Sequence, residues 1–264
     1  INLGLQILRR REDGFHMLRS LMYPTGLCDI IEINQLSGKD SPISFAQSGI
    51  RFEADLESNL CMKAWKLMAS ERALPSVAIH LHKQIPVGAG LGGGSSNAST
   101  VLSGLNHLAS PPVSPERLSE LAAQLGSDCP FFLQRKPMFM EGRGEILSHV
   151  DVSLNSFYLV LLFPGIHIST AEAYGAVNPF VPDLHLRQMI ETPVKKWKEE
   201  IINDFEKSAF VKFPLLQELK HSLYEAGAIF ASMSGSGSSL FGIFEKPAEL
   251  PEELQKHVIW SGPA

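Results

Sequence analysis

Residues 86–100 read PVGAGLGGGSSNAST, with glycine at 88, 90, 92, 93 and 94. Glycine loses more conformational freedom on folding than any other residue, so a cluster this dense marks a backbone that needs positive φ or a ligand that approaches bare main chain. Upstream, SVAIHLHKQIP alternates apolar and polar residues as a strand does. Downstream, SSNASTVLSGLNHLA has a helical pattern whose first positions are small. Strand, glycine loop and helix in that order suit an anionic phosphate, because successive N–H groups and a helix N-terminus attract it. A flexible glycine linker is the alternative, and the strong patterning of both flanks argues against it.

The ligand must be held locally. The 264 residues carry a formal charge of −5, which excludes a broad basic surface and with it nucleic acid as an expected partner. Cys28, Cys61 and Cys129 form no CxxC pair, so neither a disulfide framework nor a zinc site is expected, and a reducing cytoplasm fits. FYLVLLF at 157–163, the most apolar stretch, is too short to cross a bilayer. No basic-then-apolar signal segment opens the chain, so no membrane partner is expected. The sequence starts at Ile1 inside a strand-like run, and the true N-terminus is expected upstream.

Along the chain, INLGLQILRR reads as a strand closed by the turn REDGFH, and CDIIEINQL as a second strand with GKDSP as its breaker. SNLCMKAWKLMASE is a helix with Ser58 or Asn59 as N-cap. In the next strand Val77, Ile79 and Leu81 share one face and His80 and His82 the other; without a third ligand nearby the histidines are read as exposed strand residues, not metal ligands. SPERLSELAAQLGSD is a helix with Ser114 as N-cap, Pro115 at N1 and Gly126 at its end. PMFMEGRGEILSHV suggests a hairpin, and SFYLVLLFPG a buried strand that sets a domain boundary near 153. Helices over FEKSAFVKFPLLQELKHSLYEAG, a strand and a second glycine-serine loop, MSGSGSSLFGIF, complete the chain. Strands and helices mix without a βαβ rhythm, so the expected fold is α+β with domains 1–153 and 154–264.

Two familiar phosphate loops fail on residues 86–96. A Walker loop needs Lys-Ser or Lys-Thr after its last glycine, where this chain has Ser95-Ser96. Gly88, Gly90 and Gly93 satisfy GxGxxG, but Pro86 interrupts the strand junction. The acidic strand end expected about twenty residues on is replaced by SPPVSPE, so a dinucleotide-binding oxidoreductase is excluded on context. PVGAGLGGGSSNAST instead resembles the phosphate loop of the GHMP kinases. The extended form from Gly92 to Ala98 resembles the branch whose acceptor carries cytidine diphosphate. INLGL with REDGFH, LGSDCPFFL and MSGSGSSLFGIF agree with that family in order, leaving only 180–215 outside the resemblance.

The resemblance implies a two-domain GHMP kinase-like α+β fold with its active site in the cleft between the domains. Pro86, Val87, Gly88, Ala89, Gly90, Leu91, Gly92, Gly93, Gly94, Ser95 and Ser96 would wrap the ATP phosphates, with the two serine hydroxyls offered to phosphate oxygen or Mg2+. Asn59 and Lys83 fall on the adenine side. Asp128 takes the place of the family's general base; read from residues alone it is an N-cap before Pro130, and the roles are compatible because a capping carboxylate stays ionised. The family pairs this aspartate with a lysine just before the INL segment, a position upstream of Ile1. Phe15, where relatives usually have tyrosine, and Tyr174 would sandwich a cytosine, with His16 on its polar edge, Thr170 nearby and Asn2 beside the reacting end; core packing is the alternative for both rings. SGSGSS at 234–239 resembles the third family motif, lying against the phosphate loop, with a tight turn as the alternative. The implied activity is ATP-dependent phosphorylation of the 2-hydroxyl of a cytidine-diphosphate-linked methylerythritol in isoprenoid precursor synthesis, by a monomer or homodimer. Another GHMP kinase with a different alcohol, or a nucleotide-binding protein without turnover, remain open at this point.

Overall fold

The computed structural model describes residues 1–37, 41–51, 55 and 57–264. The GKD part of the breaker read after the second strand lies outside the described residues. The strands are β1 (Asn2–Arg10), β2 (His16–Met22), β3 (Ile30–Gln35), β4 (Ile43–Gly49), β5 (Val77–Lys83), β6 (Met138–Gly142), β7 (Ile146–His149), β8 (Tyr158–Leu162), β9 (Phe230–Met233), β10 (Leu240–Phe244) and β11 (Val258–Pro263). The helices are α1 (Leu60–Glu71), α2 (Gly93–Leu108), α3 (Pro115–Leu125), α4 (Cys129–Gln134), α5 (Thr170–Ala176), α6 (Leu186–Ile190), α7 (Trp197–Glu200), α8 (Glu206–Lys212), α9 (Pro214–Glu225) and α10 (Glu252–Gln255). The fold is α+β.

Packing divides the chain into two units that interleave in sequence: Ile1–Gly26, Gly88–Leu91 and Lys136–Ala264 form one, Leu27–Val87 and Gly92–Arg135 the other. Residue 153 falls inside the first unit. There β1 and β2 pair with β6 and β7 in a four-stranded antiparallel sheet, which ties the chain start to residues just past its middle. A second sheet of the same unit has the order β11-β8-β10-β9. Helix α9 covers it with Leu216, Leu219 and Leu223, a stripe at helical spacing. Trp197, Phe205, Phe230 and Phe241 fill this unit's core.

Strand β2 was not anticipated. It lies between β1 and β6, and its residues from Ser20 onward are buried on both faces, which erases the alternation that marks a half-buried strand. Strand β4 also escaped: ISFAQSG is a mostly exposed edge strand whose place is set by parallel pairing with β5.

In the second unit β5 is the centre of the order β3-β5-β4. Val77, Ile79 and Leu81 face a core with Ala64, Met68, Val101, Leu102 and Leu105 from α1 and α2. On the other face Ser48 Oγ lies 3.0 Å from His80 Nε2 and 2.9 Å from His82 Nδ1, so the histidines cross-link β4 and β5. Local caps form as the residue types dictate. Asn59 accepts the Cys61 N–H at 2.8 Å to start α1, and Ser114 accepts from Arg117 at 3.2 Å to start α3 behind Pro115.

The end of β5 carries an ion pair that is almost dry. Lys83 Nζ binds Asp29 Oδ2, with side chains only 2% and 1% exposed. Asp29 Oδ1 accepts the N–H groups of Gln84 and Ile85 at 2.6 and 2.8 Å, so its carboxylate fastens the strand's exit toward the glycine run. Burial pushes the Lys83 ammonium below its usual range, and its hydrogen bond to Asp29 opposes that shift. Removing one partner of such a pair strands the other charge. Asp29→Ala is therefore expected to destabilise this unit by about 3–5 kcal/mol. Urea denaturation checks this, and the double variant Asp29→Leu/Lys83→Met should recover part of the loss, because no unpaired ammonium remains.

Candidate active site

The glycine run is divided between the two packing units, and each part has its own reason for glycine. Gly88 and Gly90 have φ of +69° and +76°, a left-handed region that side chains rarely adopt. A Cβ on Gly90 would sit 2.4 Å from the Ser234 carbonyl oxygen and 2.7 Å from that of Gly237. The glycine-serine turn between β9 and β10 thus packs backbone to backbone against residues 88–91. Ser239 N–H donates to the Ala89 carbonyl at 3.0 Å, and Ser234 Oγ donates to the Gly90 carbonyl at 2.9 Å. Ala89 is buried and Val87 exposed. Ser234 Oγ also accepts the Asn2 N–H at 3.3 Å, while the Asn2 side-chain amide donates to Ser20 Oγ at 2.8 Å.

In the other unit Gly92 caps α2 in the left-handed conformation, φ +66°, without any side-chain cap. Ser96 N–H closes back on the Gly92 carbonyl at 2.9 Å. The N–H groups of Gly93, Gly94 and Ser95 precede the first helical partner, so they form the positive end of a sixteen-residue helix with no acidic residue in its first turn. Gly93 is glycine because a Cβ would lie 2.9 Å from Ile85 Cγ2 and 3.0 Å from Lys83 Nζ. Gly94 is different. It is exposed and helical, and a Cβ there would meet only Leu60 Cδ1 at 3.4 Å, an ordinary contact. Neither packing nor backbone conformation requires glycine at 94, although glycine costs a helix about 1 kcal/mol relative to alanine.

The two serines part ways. Burial pushes the Cys129 thiol up and hydrogen bonding with Ser95 and Ser99 opposes that shift, which sets Ser95 beside the start of α4. Ser99 Oγ also reaches the Cys129 carbonyl at 2.8 Å. Asn59 and Lys83 have their side chains engaged as well, one in capping α1 and the other on Asp29.

Asp128 stands before α4 but does not cap it. Its own backbone is already helical, φ −85° and ψ −15°, and its side chain makes no cap bond. A capping side chain works from an extended residue, which explains the departure from the sequence expectation. Burial pushes the Asp128 carboxyl above the ordinary carboxylate range, the opposite direction from a capping carboxylate.

Phe15 and Tyr174, the two rings expected to sandwich a cytosine, each have another neighbour here. His16 stacks on Tyr174 with centroids 5.0 Å apart and planes at 25°, and Tyr174 meets Phe205 edge-on at 4.9 Å. Phe15 is 54% exposed, with the Arg143 guanidinium 4.9 Å over its ring. The cause is register: Gly14 turns the chain at φ +83° and β2 begins at His16, paired with Arg10, which leaves Phe15 in the turn. Burial, helped by the charge of Arg10, lowers the His16 pKa and favours the neutral imidazole. Thr170 opens α5, exposed, behind the Ser169 cap.

Two residues escaped the sequence reading. Asp29 acts through partners distant in the chain, and Asn203 joins such partners to the nearby Phe205 N–H; their signal was a polar residue set among apolar ones, as in IINDFE. Among the described residues no group of three or more His, Cys, Asp or Glu is placed to hold a metal ion, and no helix is long and apolar enough to cross a membrane.

Two family models match the chain. Residues 59–136 match the GHMP kinases N terminal domain and residues 193–259 the GHMP kinases C terminal domain. A 4-diphosphocytidyl-2-C-methyl-D-erythritol kinase of Bacteroides fragilis is 46% identical over 253 residues, covering 96% of this chain and 90% of the relative. One of the same description from Parabacteroides distasonis is 41% identical over 264 residues, covering 99% and 96%. A crystal structure of 4-(cytidine 5'-diphospho)-2C-methyl-D-erythritol kinase superposes with a TM-score of 0.79 at 35% identity, over 97% of this chain and 90% of that one. The chain belongs to the GHMP kinases, in the family of 4-diphosphocytidyl-2-C-methyl-D-erythritol kinases.

Proposed function

We propose that this ATP-dependent small-molecule kinase transfers the γ-phosphoryl group of ATP to the 2-hydroxyl of 4-diphosphocytidyl-2-C-methyl-D-erythritol, in the non-mevalonate route to isoprenoid precursors. The observation that carries the reading is Gly94: a helix start with free N–H groups keeps a glycine that its own packing does not need. A phosphate chain close to the main chain supplies the missing reason. The activity named for the relatives supplies the acceptor.

Phosphoryl transfer asks mainly for positioning and charge stabilisation. The N–H groups of Gly93, Gly94 and Ser95 and the dipole of α2 hold phosphate oxygens, and residues 86–92 carry the chain around them. The acceptor oxygen bonds to the γ-phosphorus as the bond to the β-phosphate oxygen breaks; ADP leaves, and the hydroxyl proton passes to Asp128. A carboxylate of raised pKa is a better base for that proton than an ordinary one. A magnesium ion arriving on the ATP phosphates would find in Ser96 Oγ a hydroxyl ligand and would neutralise phosphate charge. On the acceptor side, neutral His16 offers one donor and one acceptor nitrogen to the edge of a cytosine. Tyr174 and Phe15 offer ring faces, Thr170 a hydroxyl, and Asn2 lies toward the reacting end. All three cysteines are free, and the proposed location is a reducing cytoplasm.

Gly94→Ala tests the phosphate site without disturbing the fold. Melting temperature should hold or rise, while affinity for a non-hydrolysable ATP analogue should fall by about tenfold or more, or ~1.4 kcal/mol. Unchanged affinity in a calorimetric titration removes the reading.

Asp128→Asn should lower turnover by roughly two to four orders of magnitude with ATP affinity retained. Because burial raises this pKa, wild-type turnover should climb with pH on a limb above the ordinary carboxylate value, as the base loses its proton. That limb should vanish from the pH profile of the residual activity in the variant.

Tyr174→Ala should weaken binding of cytidine diphosphate by roughly five- to a hundredfold, the range of ~1–3 kcal/mol for a lost base stack, and leave the ATP analogue alone. Equal binding by both proteins would detach the cytosine from this ring.

A further inference from the structure

The segment before α8 holds a buried polar hub that the reaction scheme above does not use. Asn203 is 2% exposed. Its amide nitrogen donates to the carbonyls of Met233 and Gly235, both at 2.8 Å, and its Oδ1 accepts the Phe205 N–H at 3.0 Å. Each side-chain polar atom is therefore spent on main chain. Around it, Ile202 and Asp204 bond the Leu5 backbone at 3.0 and 2.9 Å, which joins this segment to β1. One turn on, Glu206 Oε1 accepts the Met233 N–H at 2.8 Å and the Ser232 hydroxyl at 3.0 Å. Met233 is thus held by its carbonyl and its N–H at once, from Asn203 and Glu206.

What these bonds fix is the turn that touches the glycine run. Gly235 follows in the left-handed region, φ +55°, with its side-chain direction 3.0 Å from the Gly90 carbonyl oxygen. Ser234, between the two carbonyls that Asn203 grips, places its hydroxyl on that same Gly90 oxygen and accepts the Asn2 N–H. Gly90 has no side chain to lock it and a wide choice of backbone angles, so its conformation is imposed from this turn. We propose that Asn203 is a positioning residue for phosphoryl transfer: by clamping the Met233 and Gly235 carbonyls it holds Ser234 on Gly90 and sets the main chain of residues 88–91. The inference rests on the reading of that run as the ATP phosphate loop, and it assigns Asn203 no contact with substrate.

The test uses the whole chain and compares Asn203→Asp with wild type, with Ser234→Ala, and with Leu223→Ala, a core variant of α9 in the same unit. Asn203→Asp keeps shape but turns a carboxylate oxygen toward two carbonyls. Its KM for ATP and its Kd for a non-hydrolysable ATP analogue should rise about five- to a hundredfold, the range for buried carbonyls left unpaired. KM for the acceptor should stay within about twofold, because that interaction is not touched. Leu223→Ala should lose melting temperature without changing either ATP constant. Since Asn203 acts through Ser234, the double variant Asn203→Asp/Ser234→Ala should bind ATP no worse than the weaker single variant. ATP constants for Asn203→Asp equal to those of Leu223→Ala, or effects that multiply in the double variant, overturn the proposal. Should Asn203→Asp fail to fold, Asn203→Ser read by analogue binding decides in the same way. A wild-type chain that binds the analogue but does not phosphorylate the acceptor counts against the proposed function, while the analogue titrations still decide the role of Asn203.

Discussion

Backbone lies directly on backbone where the Gly88–Leu91 segment meets the turn between β9 and β10, and much of the first unit is arranged to make that contact hold. A single Cβ on Gly90 would overlap two carbonyl oxygens, so the segment can be only glycine there. Contacts of this kind have no side chains to interlock, and their precision must come from elsewhere. It comes from Ser234 bridging Gly90 and the start of β1, and from Asn203 and Glu206 behind Met233. The flexible run is thereby given one conformation by rigid neighbours.

The second unit solves a matching problem with charge. Gly93 rests on Ile85 and on the Lys83 ammonium, which Asp29 neutralises in a nearly dry pocket. A lysine under a helix start looks like a phosphate ligand, yet its charge is already answered, and its carboxylate partner also fastens Gln84 and Ile85. The favourable field for an anion at this point therefore comes from the unpaired N–H groups of α2. In a chain of formal charge −5, attraction has to be built at short range from such dipoles, because the overall field opposes an anionic nucleotide.

Asp128 and His16 illustrate how environment assigns roles to ordinary side chains. A cap would have lowered the Asp128 pKa; burial without a cap raises it, the direction that suits the base proposed for the acceptor hydroxyl. Burial lowers the pKa of His16 and favours its neutral form, and its ring stacks on Tyr174, the arrangement on which its proposed place at a cytosine edge rests.

Features set within a few residues were legible in the sequence. The alternation of β5, the Asn59 and Ser114 caps and the glycine-led start of α2 all depend on neighbours along the chain. The order of the glycine, LGSD and SGSGSS segments was enough to identify the family and its chemistry. What only the tertiary structure decided is everything that needs a partner far away. Strand β2 became central through β6, Lys83 was claimed by Asp29, His16 stacked on Tyr174, and Asn203 met Met233 and Gly235. The physical reason is the same in each case: a hydrogen bond or buried charge is satisfied by whichever group arrives in space, and spacing along the chain does not record which one that is.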